Sequence, residues 1–278
     1  MNNPAQTARC PVCPRHCALA EGQTGFCRAR IAQNGQVVAQ NYGRATALAL
    51  DPIEKKPLYH FHPGSRILSV GSYGCNLRCP FCQNHDISQR GPAQESILSP
   101  EALVQLALNA RGQGNIGIAF TYNEPAVGWE YVRDAARLAA KEHLAPALVT
   151  NGWFCAPVRK ALLPLIAAFN IDLKCFTEEG YRRLGGSLAP VMNTIAAVAA
   201  HPGTHLEVTW LVVPGLSDDE EDMQRAAAWL ASLSPDIPLH LSRYFPRWHA
   251  DAPATPPPTL HRLAAIAKQH LRHVYGPF

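Results

Sequence analysis

Cys75, Cys79 and Cys82 fall as Cys-x3-Cys-x2-Cys, in the stretch Gly74-Cys75-Asn76-Leu77-Arg78-Cys79-Pro80-Phe81-Cys82-Gln83-Asn84. Thiolates ligate iron–sulfur clusters, and a cubane ordinarily takes four of them. Three thiolates packed this closely can wrap one cubane and leave one iron without a protein ligand. An open position on a metal is where a substrate or cofactor binds. Zinc ligation and plain core burial are the competing readings. Zinc sets, however, usually come as cysteine pairs with a longer gap between them, which this triplet lacks.

A second set lies upstream. Cys10, Cys13, Cys17 and Cys27 read Cys-x2-Cys-x3-Cys-x9-Cys. Four thiolates make a closed tetrahedral zinc site or a fully ligated cluster. The spacing matches neither a standard zinc ribbon nor a bacterial ferredoxin run, so zinc, a second cluster and no metal all stay open. Gly22 and Gly25 permit the chain reversal that returns Cys27 to the others.

The elements that must carry these residues begin after Gly64. Strands are expected at 67–70, 116–122, 147–150, 171–174, 206–213 and 237–242. Helices are expected near 126–143, 156–168, 191–200, 218–232 and 258–272. Another helix opens at Ser99-Pro100-Glu101, with Ser as N-cap and an acid at the positive end of the dipole. Ser217 and Glu220 have capping-box spacing for the helix after the fifth strand. Six strands alternating with helices argue for parallel β/α units in a barrel-like arrangement, with a doubly wound open sheet as the alternative.

In such folds chemistry sits where the strands end at their C-terminal sides. Polar residues gather there: Thr121-Tyr122-Asn123-Glu124, Thr150-Asn151, Asp172 with Lys174, Glu207 with Thr209, and His240 with Ser242. An apolar core has no use for that many polar groups unless a ligand or a network satisfies them. Asp172 and Lys174 also suit an ordinary ion pair, and Asn151-Gly152 a simple turn. Structural or surface roles are expected for His60, His62, His85 and His249. Cys155 and Cys175 read as small buried residues, with Cys175 pointing away from the Lys174 face.

With Phe81 as the aromatic, Cys-x3-Cys-x-aromatic-Cys resembles the signature of the radical S-adenosylmethionine (radical SAM) superfamily. The resemblance implies a partial (β/α)6 TIM-like barrel. It implies a [4Fe-4S] cluster on Cys75, Cys79 and Cys82, with Phe81 beside the cofactor. The open iron would be chelated by the amino and carboxyl groups of S-adenosylmethionine. Asn123 and Glu124 stand where the superfamily has a Gly-Gly-Glu motif that binds the methionine amino group. This chain reads Tyr-Asn-Glu-Pro there, so Glu124 transfers more securely than Asn123. Asp172 and Lys174 resemble the Asp-x-Lys of glycyl-radical-enzyme activases, which meets the methionine carboxylate. Asn151 and His240 fall where related enzymes approach the ribose.

The order of the four-Cys N-terminus, then Asp51-Pro52-Ile53-Glu54-Lys55-Lys56-Pro57-Leu58-Tyr59-His60-Phe61, then the cysteine loop is more specific. From about Cys10 to Tyr244 it resembles the AmmeMemoRadiSam system radical SAM enzymes, relatives of pyruvate formate-lyase activating enzyme. Many of those continue into a tail with further Cys pairs, whereas this chain ends Tyr275-Gly276-Pro277-Phe278, so nothing that tail does is carried over. The implied activity is oxidoreductive cleavage of S-adenosylmethionine to methionine and a 5′-deoxyadenosyl radical. That radical would abstract hydrogen from an unidentified protein or small molecule. The implied partners are a one-electron reductant such as flavodoxin or ferredoxin, and Memo-like and AMMECR-like proteins. One alternative is a glycyl-radical-enzyme activating enzyme. Another, of a different class, is a non-catalytic iron–sulfur electron carrier, against which the polar strand ends argue.

Two domains follow: a Cys-rich metal-binding segment and linker over 1–62, and the core over 63–278. Hydrophobic residues at 47% and charged residues at 17% support a sizeable core and exclude disorder. A net charge of +4 is too small to argue for nucleic acid. Met1–Gln6 has no secretory pattern, and the apolar run 161–169 is short and broken by Pro164, so neither export nor a membrane span is expected. In the cytoplasm the nine cysteines read as metal ligands rather than disulfides.

Overall fold

The structure is a computed structural model that describes residues 7–91 and 94–277. Met1–Gln6, read above for a secretory signal, lie outside the described residues. Eight strands form one sheet: β1 (Ala47–Pro52), β2 (Arg66–Gly71), β3 (Asn115–Phe120), β4 (Ala145–Thr150), β5 (Ala168–Asp172), β6 (His205–Val212), β7 (Leu239–Arg243) and β8 (Val274–Tyr275). Their order in the sheet is their order in the chain. β1 runs antiparallel to β2, and every later pairing is parallel. Since β1 and β8 lie at the two edges, the sheet is open rather than a closed barrel. The expected α/β fold with a parallel sheet is therefore present.

Among the described residues seven α-helices intervene: α1 (Pro100–Asn109), α2 (Trp129–Lys141), α3 (Ala156–Leu162), α4 (Glu178–Arg183), α5 (Leu188–Ala199), α6 (Glu220–Leu233) and α7 (Pro257–Ala267). Parallel neighbours need such crossovers because a hairpin cannot join them. Ile118, Leu148, Phe169 and Val208 pack into the main core with the helices. Their neighbours Ala119, Ala147 and Ala168, in register across β3, β4 and β5, belong to a separate small cluster with Ile53 and Leu58. Side chains alternate faces along a strand, so small residues in one row let the 53–61 segment lie against the sheet. Main-chain bonds hold that segment: Asn170 Nδ2 donates to the Pro57 carbonyl at 2.8 Å, and the Tyr59 and His60 amides donate to Glu207 at 3.0 and 2.8 Å.

Boundaries depart from the sequence reading where local chemistry decides them. β5 begins three residues earlier than the expected 171 and ends at Asp172, leaving Lys174 in the loop beyond. α3 stops at Leu162 instead of 168, and Pro164 lies in a following 3-10 turn, since proline supplies no amide for helix continuation. The last helix ends at Ala267, and β8 follows. β1 and β8 are additions to the six expected strands. Ser99 caps α1 as expected, accepting from the Ala102 amide at 3.2 Å. The capping box at Ser217 is not formed. Asp219 caps α6 instead, accepting from Asp222 N, while the Ser217 hydroxyl is committed to Val213 N and the Leu211 carbonyl.

The N-terminal part holds two short hairpins, Ala8–Arg9 with Ala18–Leu19 and Arg30–Gln33 with Gln36–Ala39. No helix among the described residues is long and apolar enough to cross a membrane.

Candidate functional site

The cysteine loop leaves the C-terminal end of β2 and is held almost entirely by hydrogen bonds to main chain. Gly74 sits at φ +90°, and a Cβ there would meet the Cys27 carbonyl oxygen at 2.5 Å and Ala29 Cβ at 2.7 Å. Only glycine combines that dihedral with that approach. Gly74 N–H donates to the Ile87 carbonyl at 2.9 Å, Cys75 N–H to the Cys27 carbonyl at 3.2 Å, and Arg78 N–H to the Leu184 carbonyl at 2.8 Å. Gln89 Nε2 donates to the Cys79 carbonyl at 2.8 Å.

Asn123 closes the other side of this loop. Its Oδ1 accepts from Ser72 N–H at 3.0 Å, and its Nδ2 donates to the Tyr73 and Gly74 carbonyls, both at 3.1 Å. The side chain thus clasps the loop. The preceding Tyr122 has φ +72°, a costly conformation for a residue of that size. Its carbonyl accepts from Asn84 Nδ2 at 2.7 Å and its hydroxyl donates to Asp51 Oδ2 at 2.9 Å.

Glu124 is 2% exposed. Its Oε1 accepts from the Thr150 hydroxyl at 2.6 Å and Ala126 N–H at 3.0 Å, and its Oε2 from Asn151 N–H at 2.8 Å. Burial nevertheless lifts its carboxyl to about 7, against those three donors, with Asp172 adding to the rise. Asn151 extends the network: its Nδ2 donates to Asn76 Oδ1 at 2.8 Å and approaches Cys75 Sγ at 3.7 Å. Asn76, fully buried, donates in turn to the Trp153 carbonyl at 2.6 Å.

Asp172 and Lys174 form an ion pair at 2.7 Å, with side chains 30% and 17% exposed. Burial acts to lower the Lys174 ammonium, but Asp172 and the thiols of Cys79 and Cys82 carry it upward. Burial likewise raises the Cys75 and Cys79 thiols, and Lys174 partly counters this at Cys79. Asn151 thus links Glu124 to the cysteine loop, and the Asp172–Lys174 pair lies at and just beyond the end of β5. A cluster that draws off thiol protons fits a site with a lysine at its border.

Two further expected site residues meet partners of their own. Phe81 is 7% exposed and meets the Tyr244 ring edge-on, with centroids 6.3 Å apart. His240 joins a different network: its Nε2 lies 2.5 Å from Glu207 Oε2, and its ring packs against Tyr59. Glu207 also meets His205 Nε2 at 2.8 Å, so two histidines and two amides converge on one buried carboxylate. Burial alone would raise Glu207, but those donors hold it down at about 2. Cys175 is buried with its thiol toward the Thr177 carbonyl, as expected. Cys155 faces the N-terminal set, 3.8 Å from His16 Nε2.

The sequence reading missed Asn76, Gln89 and Trp153. Asn76 lies inside the cysteine motif, and a polar residue between two ligands was the signal for it. Gln89 and Trp153 act through contacts that spacing does not encode.

Residues 69–227 match the family model described as the radical SAM superfamily. The chain is 37% identical over 272 residues to an uncharacterized protein of Methanocaldococcus jannaschii, covering 96% of this chain and 80% of that protein. It is 28% identical over 169 residues to pyruvate formate-lyase 1-activating enzyme of Escherichia coli K12, covering 59% of this chain and 67% of that enzyme. Among solved structures, a radical SAM methyltransferase from Sphaerobacter thermophilus superposes with a TM-score of 0.58 at 17% identity, covering 78% of this chain and 67% of that one. At that identity the likeness speaks for the fold alone.

Proposed function

The chain belongs to the radical SAM superfamily, and on that premise we propose that it is an enzyme that cleaves S-adenosylmethionine reductively to act on a protein or small-molecule substrate. The observation that carries this reading is the joining of the cysteine loop to the strand-end polar residues: Asn151 Nδ2 lies 3.7 Å from Cys75 Sγ, Asn151 N–H donates to Glu124 at 2.8 Å, and the Asp172–Lys174 pair stands at the end of β5.

Cys75, Cys79 and Cys82 would hold a [4Fe-4S] cluster. When bound, that cluster supplies one electron to S-adenosylmethionine, yielding methionine and a 5′-deoxyadenosyl radical that abstracts hydrogen. The chain's own part is binding and orientation. Lys174 is a cation at the rim that suits a carboxylate, and Asp172 holds it in place. Asn151, with its amide beside Cys75, suits the cofactor's polar atoms. Glu124 braces Thr150 and Asn151, and its charge suits an ammonium group. Asn123 acts through the loop it clasps rather than on the cofactor.

Similarity to the Escherichia coli activating enzyme favours a second reading, activation of a glycyl radical enzyme. Membership of the AmmeMemoRadiSam branch, with Memo-like and AMMECR-like partners, rests on the order of the three motifs. A flavodoxin or ferredoxin would supply the electron, in a cytoplasm that keeps the nine free cysteines reduced. The N-terminal cysteines would hold zinc or a second cluster. The test is anaerobic: reconstitute with iron and sulfide, reduce with dithionite, add S-adenosylmethionine and assay 5′-deoxyadenosine. Cys79→Ala should abolish the product; undiminished turnover in that variant rejects the mechanism.

A further inference from the structure

Cys10, Cys13, Cys17 and Cys27 line a single recess of about 310 Å³, counting the solvent at its mouth. Local structure builds this cage. The first hairpin pairs Arg9 with Ala18, and Cys10 N–H donates to the Cys17 carbonyl at 2.9 Å. His16, at φ +46°, turns the chain between Cys13 and Cys17. Cys27 comes back through the turn in which Gly25 N–H donates to the Arg30 carbonyl at 2.7 Å. Three of the four thiol residues are buried, and Cys17 is partly exposed.

Two guanidinium groups share the recess with them. Arg30 is 2% exposed; one terminal nitrogen pairs with Glu130 at 2.6 Å and the other donates to the Val37 carbonyl at 2.8 Å. Its Nε is buried without a partner, and so is Arg15 Nε. A buried N–H left without an acceptor costs about 1–3 kcal/mol. Two such donors beside four thiols call for anionic sulfur, which neutral thiols do not provide and metal-bound thiolates do.

The size of the cage bears on which metal it takes. At Zn–S bonds of about 2.3 Å, one zinc draws its sulfurs into a tight tetrahedron. Among the described residues, no three Cys, His, Asp or Glu side chains lie close enough to share one ion. That holds for the Cys75 set as well, whose expected occupant is a cubane. A cubane spreads its four thiolates over four irons. We propose that Cys10, Cys13, Cys17 and Cys27 bind a second, fully ligated [4Fe-4S] cluster, with the free Nε–H groups of Arg15 and Arg30 available to its sulfurs.

The test uses the full chain with Cys75, Cys79 and Cys82 all changed to Ala, reconstituted anaerobically with iron and sulfide in the presence of zinc. The expected result is about four irons and four sulfides per chain, with a reducible paramagnetic signal, all lost when Cys13→Ala and Cys27→Ala are added. One zinc and no iron, or no metal on a folded chain, overturns the proposal. Should the variants fail to fold by circular dichroism, the unaltered chain decides. About eight irons supports the second cluster, and about four irons, with or without one zinc, overturns it. A triple variant that keeps its four irons while the unaltered chain cleaves no S-adenosylmethionine rejects only the functional reading.

Discussion

The amide of Cys75 donates to the carbonyl of Cys27 at 3.2 Å, so the first residue of one cysteine set is bonded to the last residue of the other. Gly74 makes this approach possible, since any side chain there would collide with the same carbonyl. We predict that Gly74→Ala destabilises the chain by about 2–4 kcal/mol, the sum of a strained dihedral and an overpacked contact. The same variant should lose most of the iron bound at Cys75, Cys79 and Cys82. A thermal melt together with an iron count checks both, and unchanged iron content would mean that the loop is not held from this side.

Asn123 separates a clasp from a ligand. Asn123→Ala removes an acceptor from Ser72 and donors from Tyr73 and Gly74. The expected loss is about 1–3 kcal/mol of stability and slower cluster retention. S-adenosylmethionine affinity in the loaded fraction should be unchanged, and a large rise in its dissociation constant at full cluster occupancy would restore Asn123 to the cofactor's own contacts.

Lys174 should behave in the opposite way. Lys174→Met keeps the volume and removes the cation, leaving Asp172 partly exposed and free to hydrate. Iron content should hold while S-adenosylmethionine affinity falls about 10- to 100-fold, the worth of one charge-assisted hydrogen bond. Calorimetric titration of the reconstituted protein measures this directly.

Two buried glutamates give stability opposite dependences on pH. The Glu124 carboxyl is lifted from 4.5 to about 7 by burial, so the folded chain holds its proton longer than the unfolded chain does. Its contribution is complete below pH 4.5 and is lost as pH rises through about 7, a change on the order of 3 kcal/mol. Denaturant titrations of metal-free protein across that window should show the fall, and Glu124→Gln should flatten it.

Glu207 is held down at about 2 by His205, His240 and the amides of Tyr59 and His60. Its contribution is present above pH 4.5 and is lost as pH drops toward 2. Glu207→Ala strands those donors and should cost about 3–5 kcal/mol at pH 7, while the iron bound by Cys75, Cys79 and Cys82 stays unchanged. A loss of cluster without a loss of stability would contradict this separation.

The cysteine loop, the alternation of strand and helix, and the strand-end clustering of Glu124, Asn151, Asp172 and Lys174 were legible because each is a matter of type and spacing. The additions β1 and β8 were not. Ala47–Pro52 ends in proline and pairs only at the edge, and Val274–Tyr275 is two residues long. The contacts of His240 with Glu207 and of Phe81 with Tyr244 were not legible, because tertiary partners leave no trace in spacing. The clasp made by Asn123 was not legible either, because its amide reaches main-chain atoms that sequence cannot locate.

Glu207 grips the 53–61 segment through the amides of residues 59 and 60, not through their side chains. Every amino acid except proline carries that donor. Any replacement other than proline at those two positions keeps the grip on Glu207, and what it gives up is the Tyr59 packing on His240 or the His60 contact with Tyr275. Glu207 has no such freedom, so substitution tolerance along this contact should be lopsided: broad on the strap, narrow on the strand.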